Sequence, residues 1–542
     1  MTSKVELKEI VDRYFPRPKA NPGQKEAIVD ACHAILAGKK HVIIDAPTGT
    51  GKSIIATTIH RVLKHVKGRW RTTLITSTRS LQDQYTEDDK AIVDLRGKTN
   101  YSCPIGVGPY NSGGCRSKIA AGKCSKAQMC PYVKKRTYWC NIAELRITNS
   151  SFQISSPPEI CMTDENKADL IVIDECHEID DLIIEHTSIK FNLEDYTLLR
   201  RYDGEGLLVS ISKYLELFKK YSIGEAFDIT DEIFNGMNDI SDLTDSMISS
   251  LEGMISDDRR EDRETIGTAL ETLQEIACAT NLFNACDQRK GTWIMHFYGP
   301  GKMEIKPVFA WQVANYSLFR KADYFVHMSA TICGYESYIG NLGIKEDNSY
   351  LIVVPNSIPV ENRNIKVIPT QKVSGNYDID KLARNIDSLI GMNKGKNGII
   401  HTVSYKLAND IFERSKFKHK MLVSGDRNDI VEFLNTPNGN IVLSPSMVKG
   451  YDFKGDTSRF QILAKVPYLW LGDPLVSLNA KERPEWYARK AILSAVQSCG
   501  RSVRGVDDWA QTYIIDSNFL RLLQDNHEIF PEWFLDSIDI IS

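Results

Sequence analysis

Residues 41–63, HVIIDAPTGTGKSIIATTIHRVL, constrain the fold more than any other stretch of the chain. A continuous apolar run, a turn rich in Gly and Thr, and then apolar positions at a 3.6-residue period predict a buried strand, a tight loop and an amphipathic helix. That order belongs to parallel sheets whose strands are joined through helices. Ala46-Pro47-Thr48-Gly49-Thr50-Gly51-Lys52-Ser53 follows the pattern of a Walker A loop, with Ala46 in place of the usual opening Gly. In such a loop the glycines let backbone N–H groups converge on phosphates at the start of the helix. Lys52 then neutralises β- and γ-oxygens, and Ser53 offers a hydroxyl to Mg²⁺.

The scheme recurs. TTLITSTRS (72–80), ADLIVIDECHEI (168–179) and FVHMSATI (325–332) are apolar runs ending in polar residues, and open α/β sheets bind ligands beyond those ends. Asp174-Glu175-Cys176-His177 closes one of them, where an acid that holds Mg²⁺ (Asp174) and one that activates water (Glu175) belong. From about residue 350 a second series begins: LIVVP, IKVIPT, NGIIHTVS, KMLVSG, GNIVLSPS, RFQILAKVP and QTYIIDS. It predicts a second α/β domain. A helix predicted over 485–496 leads into Gln497-Ser498-Cys499-Gly500-Arg501-Ser502-Val503-Arg504. The spacing of Arg501 and Arg504 sets two guanidinium groups on one helical face, suited to charge on a transferring phosphoryl group. Between the two series, 188–292 carries apolar residues at helical spacing and predicts a mostly helical insertion.

At 542 residues the chain has room for two to four domains. Its net charge of −3 gives no overall signature of nucleic-acid binding, although 61–71 and 116–136 are basic and 226–264 is acidic. The first residues lack the apolar stretch of a signal peptide, and no apolar run reaches the roughly 20 residues of a membrane span, so a cytoplasmic location is expected. In such a setting the 12 cysteines are not a disulfide scaffold. Five of them, Cys103, Cys115, Cys124, Cys130 and Cys140, crowd one segment rich in Gly and Lys. The first four, at C-x11-C-x8-C-x5-C with no nearby His, suit a metal centre. Iron–sulfur and zinc both remain open on spacing, though four-cysteine zinc sites usually show tight C-x2-4-C pairs, which are absent. Cys140, in a Trp-Cys setting, reads as a core residue.

The Walker A loop, DECH, Ser329-Ala330-Thr331 and Gln497-x-x-Gly500-Arg501-x-x-Arg504 stand in the order and spacing of a superfamily 2 helicase. Thr78-Arg79 with Gln82 and Gln84, Ser404-Tyr405, and Gly450-Tyr451-Asp452-Phe453 extend the match. With the cysteine insertion between the two Walker elements, the chain resembles the XPD/DinG branch over nearly its whole length. The resemblance implies an α/β fold of two RecA-like P-loop NTPase domains, the first carrying an iron–sulfur insertion and a helical arch. The first domain would comprise 1–98, 141–187 and 293–348, the cluster insertion 99–140, the arch 188–292, and the second domain 349–542. It also implies an ATP-dependent helicase that moves on single-stranded DNA and unwinds duplex 5′→3′. Single-stranded and forked DNA would be its partners, with no membrane and a monomer as the simplest assembly.

By the same resemblance ATP would be bound by Gln24, Ala46, Pro47, Thr48, Gly49, Thr50, Gly51, Lys52, Ser53, Asp452 and Gln497. Ser53 and Asp174 would hold Mg²⁺, while Lys52, Glu175, Arg501 and Arg504 would serve hydrolysis. His177, Ser329, Thr331 and Gly450 would couple nucleotide state to movement, and Thr78 and Arg79 would touch the DNA backbone. Cys103, Cys115, Cys124 and Cys130 would carry a [4Fe-4S] cluster, and Tyr101, Tyr110, Tyr132 and Tyr138 could stack on bases. Two departures stand out. The family's Arg-Pro-Gly-Gln reads Asn21-Pro22-Gly23-Gln24, with Arg17 upstream, which bears on base selectivity, and DEAH reads DECH. A nucleic-acid-stimulated ATPase that remodels complexes without unwinding is the rival enzyme. An ATP-switched DNA-binding module is the rival of another class, and the full set of hydrolysis residues argues against it.

Overall fold

The computed structural model describes residues 2–102, 127–156, 166–204, 206–222, 225–254, 260–286, 291–299, 301–436, 438–445, 453, 455–503 and 505–541. Among these, two seven-stranded sheets form the frame, and every strand pairing in them is parallel. The first runs, edge to edge, Ser349–Val353, His41–Asp45, Ala322–Ser329, Ala168–Asp174, Thr72–Thr76, Leu145–Asn149 and Val93–Asp94. His41–Asp45 alternates its side chains between two cores. Val42 and Ile44 join the helices Gln24–Leu36 and Lys52–Lys67 on one face, and Ile43 joins the opposite core. At its central strands both faces of the sheet are therefore buried, which is why those strands read as unbroken apolar runs.

The second sheet runs Met421–Val423, Ile441–Ser444, Gly398–His401, Phe460–Leu463, Gln511–Asp516, Ile365–Gln371 and Ile538–Ile540. One expectation is corrected here. Residues 349–353, read as opening the second series, pair with His41–Asp45 as the edge of the first sheet. The backbone continues that contact, Val354 N–H donating to Asp45 O at 2.8 Å. An apolar run marks a strand and says nothing about which sheet takes it; as an edge strand this one leaves Tyr350, Leu351 and Val353 exposed.

The region 188–292 holds the expected helices. Asp231–Met254 and Arg260–Ala285 lie against each other, joined by bonds such as Asn284 Nδ2 to Asn238 Oδ1 at 2.6 Å. It also contributes to an antiparallel sheet that periodicity did not reveal, ordered Ile189–Asn192, Lys302–Pro307, Trp293–Gly299 and Ala226–Phe227. Its strands are short and drawn from both ends of the insertion, so no local window contains the pattern. In the cysteine segment, Pro131–Asn141 is a helix with Pro131 in its first turn. Only Tyr132, Trp139 and Cys140 of that helix are buried, too few for a period to show.

A small device is repeated in the two halves. The Thr76 hydroxyl donates to Thr78 O at 3.3 Å, and Thr78 Oγ1 caps the helix Arg79–Asp88 by accepting from Leu81 N at 3.3 Å. Thr402 donates to Ser404 O at 3.3 Å, and Ser404 Oγ caps Tyr405–Arg414 by accepting from Leu407 N at 3.2 Å. Strand, turn and cap share the spacing T-x-[ST]-x-x-L. Among the described residues, no helix is long and apolar enough to cross a membrane.

Candidate active site

The loop 46–51 leaves the carboxyl end of His41–Asp45 and enters the helix Lys52–Lys67, as its sequence predicts. Gly51 sits at φ 79°, and a Cβ there would lie 2.5 Å from Gln24 Nε2. Glycine is needed twice over at this position, for its left-handed backbone and for the close approach of a second segment. That segment is 21–24. Gln24 is buried and donates to Gly51 O at 3.2 Å, Asn21 Nδ2 donates to Gly49 O at 2.9 Å, and Asn21 N–H donates to Gln24 Oε1 at 3.1 Å. Thr50 donates to Pro47 O at 2.8 Å, and Ala46 N–H to Ser329 O at 2.8 Å. No side chain caps the helix Lys52–Lys67, so its first N–H groups can serve an anion.

Across the loop, Ala168–Asp174 delivers its acids. Lys52 Nζ lies 3.6 Å from Glu175 Oε1. Asp174 is buried and accepts from Tyr85 OH at 3.1 Å; burial and then the charge of Glu175 push its carboxyl up to about 6. Ser53 Oγ donates to Asp88 Oδ2 at 3.1 Å, and Arg17 reaches the same carboxylate at 3.9 Å. Thus Ser53 and Asp174, the two residues suited to Mg²⁺, lie beside Lys52 and Glu175. Oxygen donors of this kind fit a hard divalent cation.

His177 joins the acids to both sheets. Its Nδ1 donates to Ser329 Oγ at 2.8 Å, its Nε2 accepts from the Gln497 amide at 2.6 Å, and Nδ1 is 3.3 Å from Glu175 Oε2. Burial lowers its basicity against the pull of Glu175, and the neutral Nδ1–H tautomer follows from its partners. Thr331 N–H donates to Ser329 Oγ at 3.1 Å, and Gln497 comes within 3.5 Å of Thr331 Oγ1. Gln497 stands in the last turn of Pro484–Cys499. This corrects the expected setting of Arg501: the helix runs past 496 to Cys499 and stops there, so Arg501 is not on a helical face. Gly500 ends the turn, the Arg501 carbonyl accepts from Phe453 N at 3.2 Å, and the Arg501 charge is felt by the buried His401. Arg504, Gly450 and Asp452 lie outside the described residues.

Thr78, besides capping its helix, places Arg79 on the exposed surface at the end of Thr72–Thr76. Cys130 is buried beside Tyr132 and Trp139, and Cys140 is buried in the same cluster. Cys103, Cys115 and Cys124 lie outside the described residues, as does Tyr110. Among the described residues no group of three or more His, Cys, Asp or Glu is placed to hold a metal. The sequence reading missed Asp45, Tyr85 and Asp88. Only Asp45 left a signal, a carboxylate closing an otherwise apolar strand.

Two family models match the chain. One, described as "Type III restriction enzyme, res subunit", covers residues 17–200, and the other, "Helicase C-terminal domain", covers 389–537. The chain is a superfamily 2 helicase. As such it is an ATP-hydrolysing enzyme of the nucleic-acid helicase/ATPase class. Its fold is that of solved XPD structures. One titled "XPD_Helicase" aligns with 97% of this helicase and 100% of that chain at TM-score 0.61 and 15% identity. "Structure of S. tokodaii Xpd4" aligns with 96% and 100% at TM-score 0.56 and 16% identity. No curated protein matches the sequence.

Proposed function

We propose that this helicase moves on single-stranded DNA and separates duplex in the 5′→3′ direction, driven by ATP hydrolysed between its two RecA-like domains. The observation that carries this reading is the path Gln497–His177–Ser329, which links a helix of the second domain to the acids of the first. Lys52 and the N–H groups of 48–53 would bind the phosphates, with Gln24 and Asn21 bracing the loop. Glu175 would orient the attacking water and take its proton. Arg501 and Arg504 would offset charge on the transferring phosphoryl group. Bound Mg²⁺ would neutralise phosphate oxygens, with Ser53 and Asp174 as its protein-side ligands. DNA and polarity rest on the resemblance to the XPD/DinG branch, as does the division into 1–98, 141–187 and a last part from 293 that now takes in the strand Ser349–Val353, with insertions at 99–140 and 188–292.

The same reading gives Cys103, Cys115, Cys124 and Cys130 to a [4Fe-4S] cluster. Cys130 fits in one respect, a buried thiol at the start of Pro131–Asn141 between aromatic residues. Protein purified without oxygen would be brown and would lose its iron in Cys130→Ser; a colourless, zinc-loaded sample would refute the assignment. For the motor, duplexes with a 5′ or a 3′ single-stranded tail are incubated with ATP. Opening of the 5′-tailed duplex alone is expected. DNA-dependent ATP consumption with neither duplex opened would leave a remodelling ATPase in its place.

A further inference from the structure

Arg483, Lys490 and Gln497 recur every seven residues and so line one face of Pro484–Cys499 and its N-terminal cap. Each reaches the first domain. Arg483 Nη1 donates to Asn341 Oδ1 at 2.6 Å, and Lys490 Nζ donates to Asp180 Oδ1 at 3.1 Å and to Asp181 Oδ1 at 2.8 Å. Gln497 meets His177 as described. Beside them, Arg489 donates to Cys333 O at 2.7 Å and to Ile332 O at 2.9 Å, just past Ser329-Ala330-Thr331. Lys490 and Asp180 are both buried, and Asn341 donates its amide to the same Asp180 carboxylate.

A buried ion pair is a poor source of stability, because desolvating two charges offsets most of their attraction. It is a strict source of geometry, since either charge left alone in the interior is costly. The position of this pair is telling. Asp180 lies three residues after His177, in the first turn of the helix Ile179–Thr187, and Lys490 lies two turns before Gln497. Each partner is tied through a short rigid element to the bond between Gln497 and His177. We propose that Lys490 is a positioning residue for ATP hydrolysis. Its ion pair with Asp180 and Asp181 fixes how the helix Pro484–Cys499 docks on the first domain, and with it the alignment of Gln497, His177 and Arg501. The proposal rests on the reading that hydrolysis is completed across the two domains.

The test compares Lys490→Met, Asp180→Asn and the double variant, in the full-length protein, for thermal midpoint and for kcat and KM of DNA-stimulated ATP hydrolysis. Lys490→Met leaves the buried Asp180 carboxylate without its cation and should lower the midpoint, whereas Asp180→Asn leaves Lys490 paired only with the exposed Asp181 and should lower it less. The double variant leaves neither charge of the pair, its introduced amide can still accept from Asn341, and it should recover most of the midpoint. Its kcat should nevertheless stay about 10- to 100-fold below the parent, as for a displaced catalytic group, while KM for ATP moves less than about twofold. A kcat that recovers along with the midpoint would show that the pair serves stability alone, and would overturn the proposal. Arg501→Ala is measured in parallel. An unaffected kcat there would sink the cross-domain reading itself. An impaired Arg501→Ala beside a fully active double variant would sink only the role of Lys490.

Discussion

Glu175 is held at φ 52°, in the left-handed region that L residues rarely adopt. Such a backbone costs about 1–3 kcal/mol and persists where its surroundings dictate it. Here the turn that follows is bonded on two sides, through His177 to Ser329 and Gln497 and through Tyr338 OH to Cys176 O at 3.4 Å. Tyr338 is in turn met by His327 Nδ1 at 2.9 Å, and His327 by His41 at 3.1 Å, a buried file of neutral rings beneath the acids. Glu175→Gln keeps size and backbone and removes only the carboxylate proposed as the base. It should lower kcat by roughly 10²–10⁴-fold with ATP binding retained, as steady-state hydrolysis and nucleotide titration would show. Asp45 makes a second prediction. Its buried carboxyl is pushed up to about 7 by desolvation, eased by Ile332 N–H and the charge of Lys52. The folded chain therefore holds this proton more tightly than the unfolded one. The contribution favours the fold most in acid, weakens as pH rises from about 4 to about 7, and is level above that. Thermal melts of Asp45→Asn across this window should show a flatter pH dependence than the parent. An identical slope would remove Asp45 from the account. Lys52, Ser53, Asp174 and Glu175 could be named in advance because their chemistry is local to a loop or a strand end. Tyr85 and Asp88 could not, because a polar residue that braces a site from another segment leaves no local trace.

The helices show how much of an element a window of sequence contains. Pro484–Cys499 was predicted over 485–496 and runs three residues further, yet it still ends before Arg501, which is not on the helical face expected for it. The strand Ser349–Val353 was visible as a strand and assigned to the wrong sheet, because register and partner are long-range properties. The antiparallel sheet under the helical insertion was not visible at all, its strands Ile189–Asn192 and Lys302–Pro307 being brought together from opposite ends of that region. Thr78 and Ser404 carry the repeated cap, and each hydroxyl satisfies one N–H at the start of a helix. Thr78→Ala and Ser404→Ala should each cost about 1 kcal/mol, seen as a thermal midpoint lower by ~2–4 °C. A loss in one half only would mean that the two devices are not equivalent in load.

At the scale of the molecule, two parallel sheets of the same kind are joined by contacts that include the helix Pro484–Cys499. What the first carries alone is the loop 46–51 and two acids, which on the proposed reading bind a nucleotide and place a water. What the second adds is Gln497 at His177 and Arg501 beyond the helix end. This two-sheet plan was readable from the sequence because each half announces itself by apolar runs and polar strand ends. The contacts that join the halves were not, since Arg489, Lys490 and Asp180 look like ordinary surface charges until the docked structure buries them. The central claim is that neither half hydrolyses ATP efficiently by itself. It is tested most directly by kcat for ATP hydrolysis in Arg501→Ala, measured with saturating single-stranded DNA alongside ATP affinity. The account predicts a fall of about 10³-fold or more with affinity changed only a few-fold, because the loop 46–53 binds ATP without the second domain. Hydrolysis at the parental rate would contradict it.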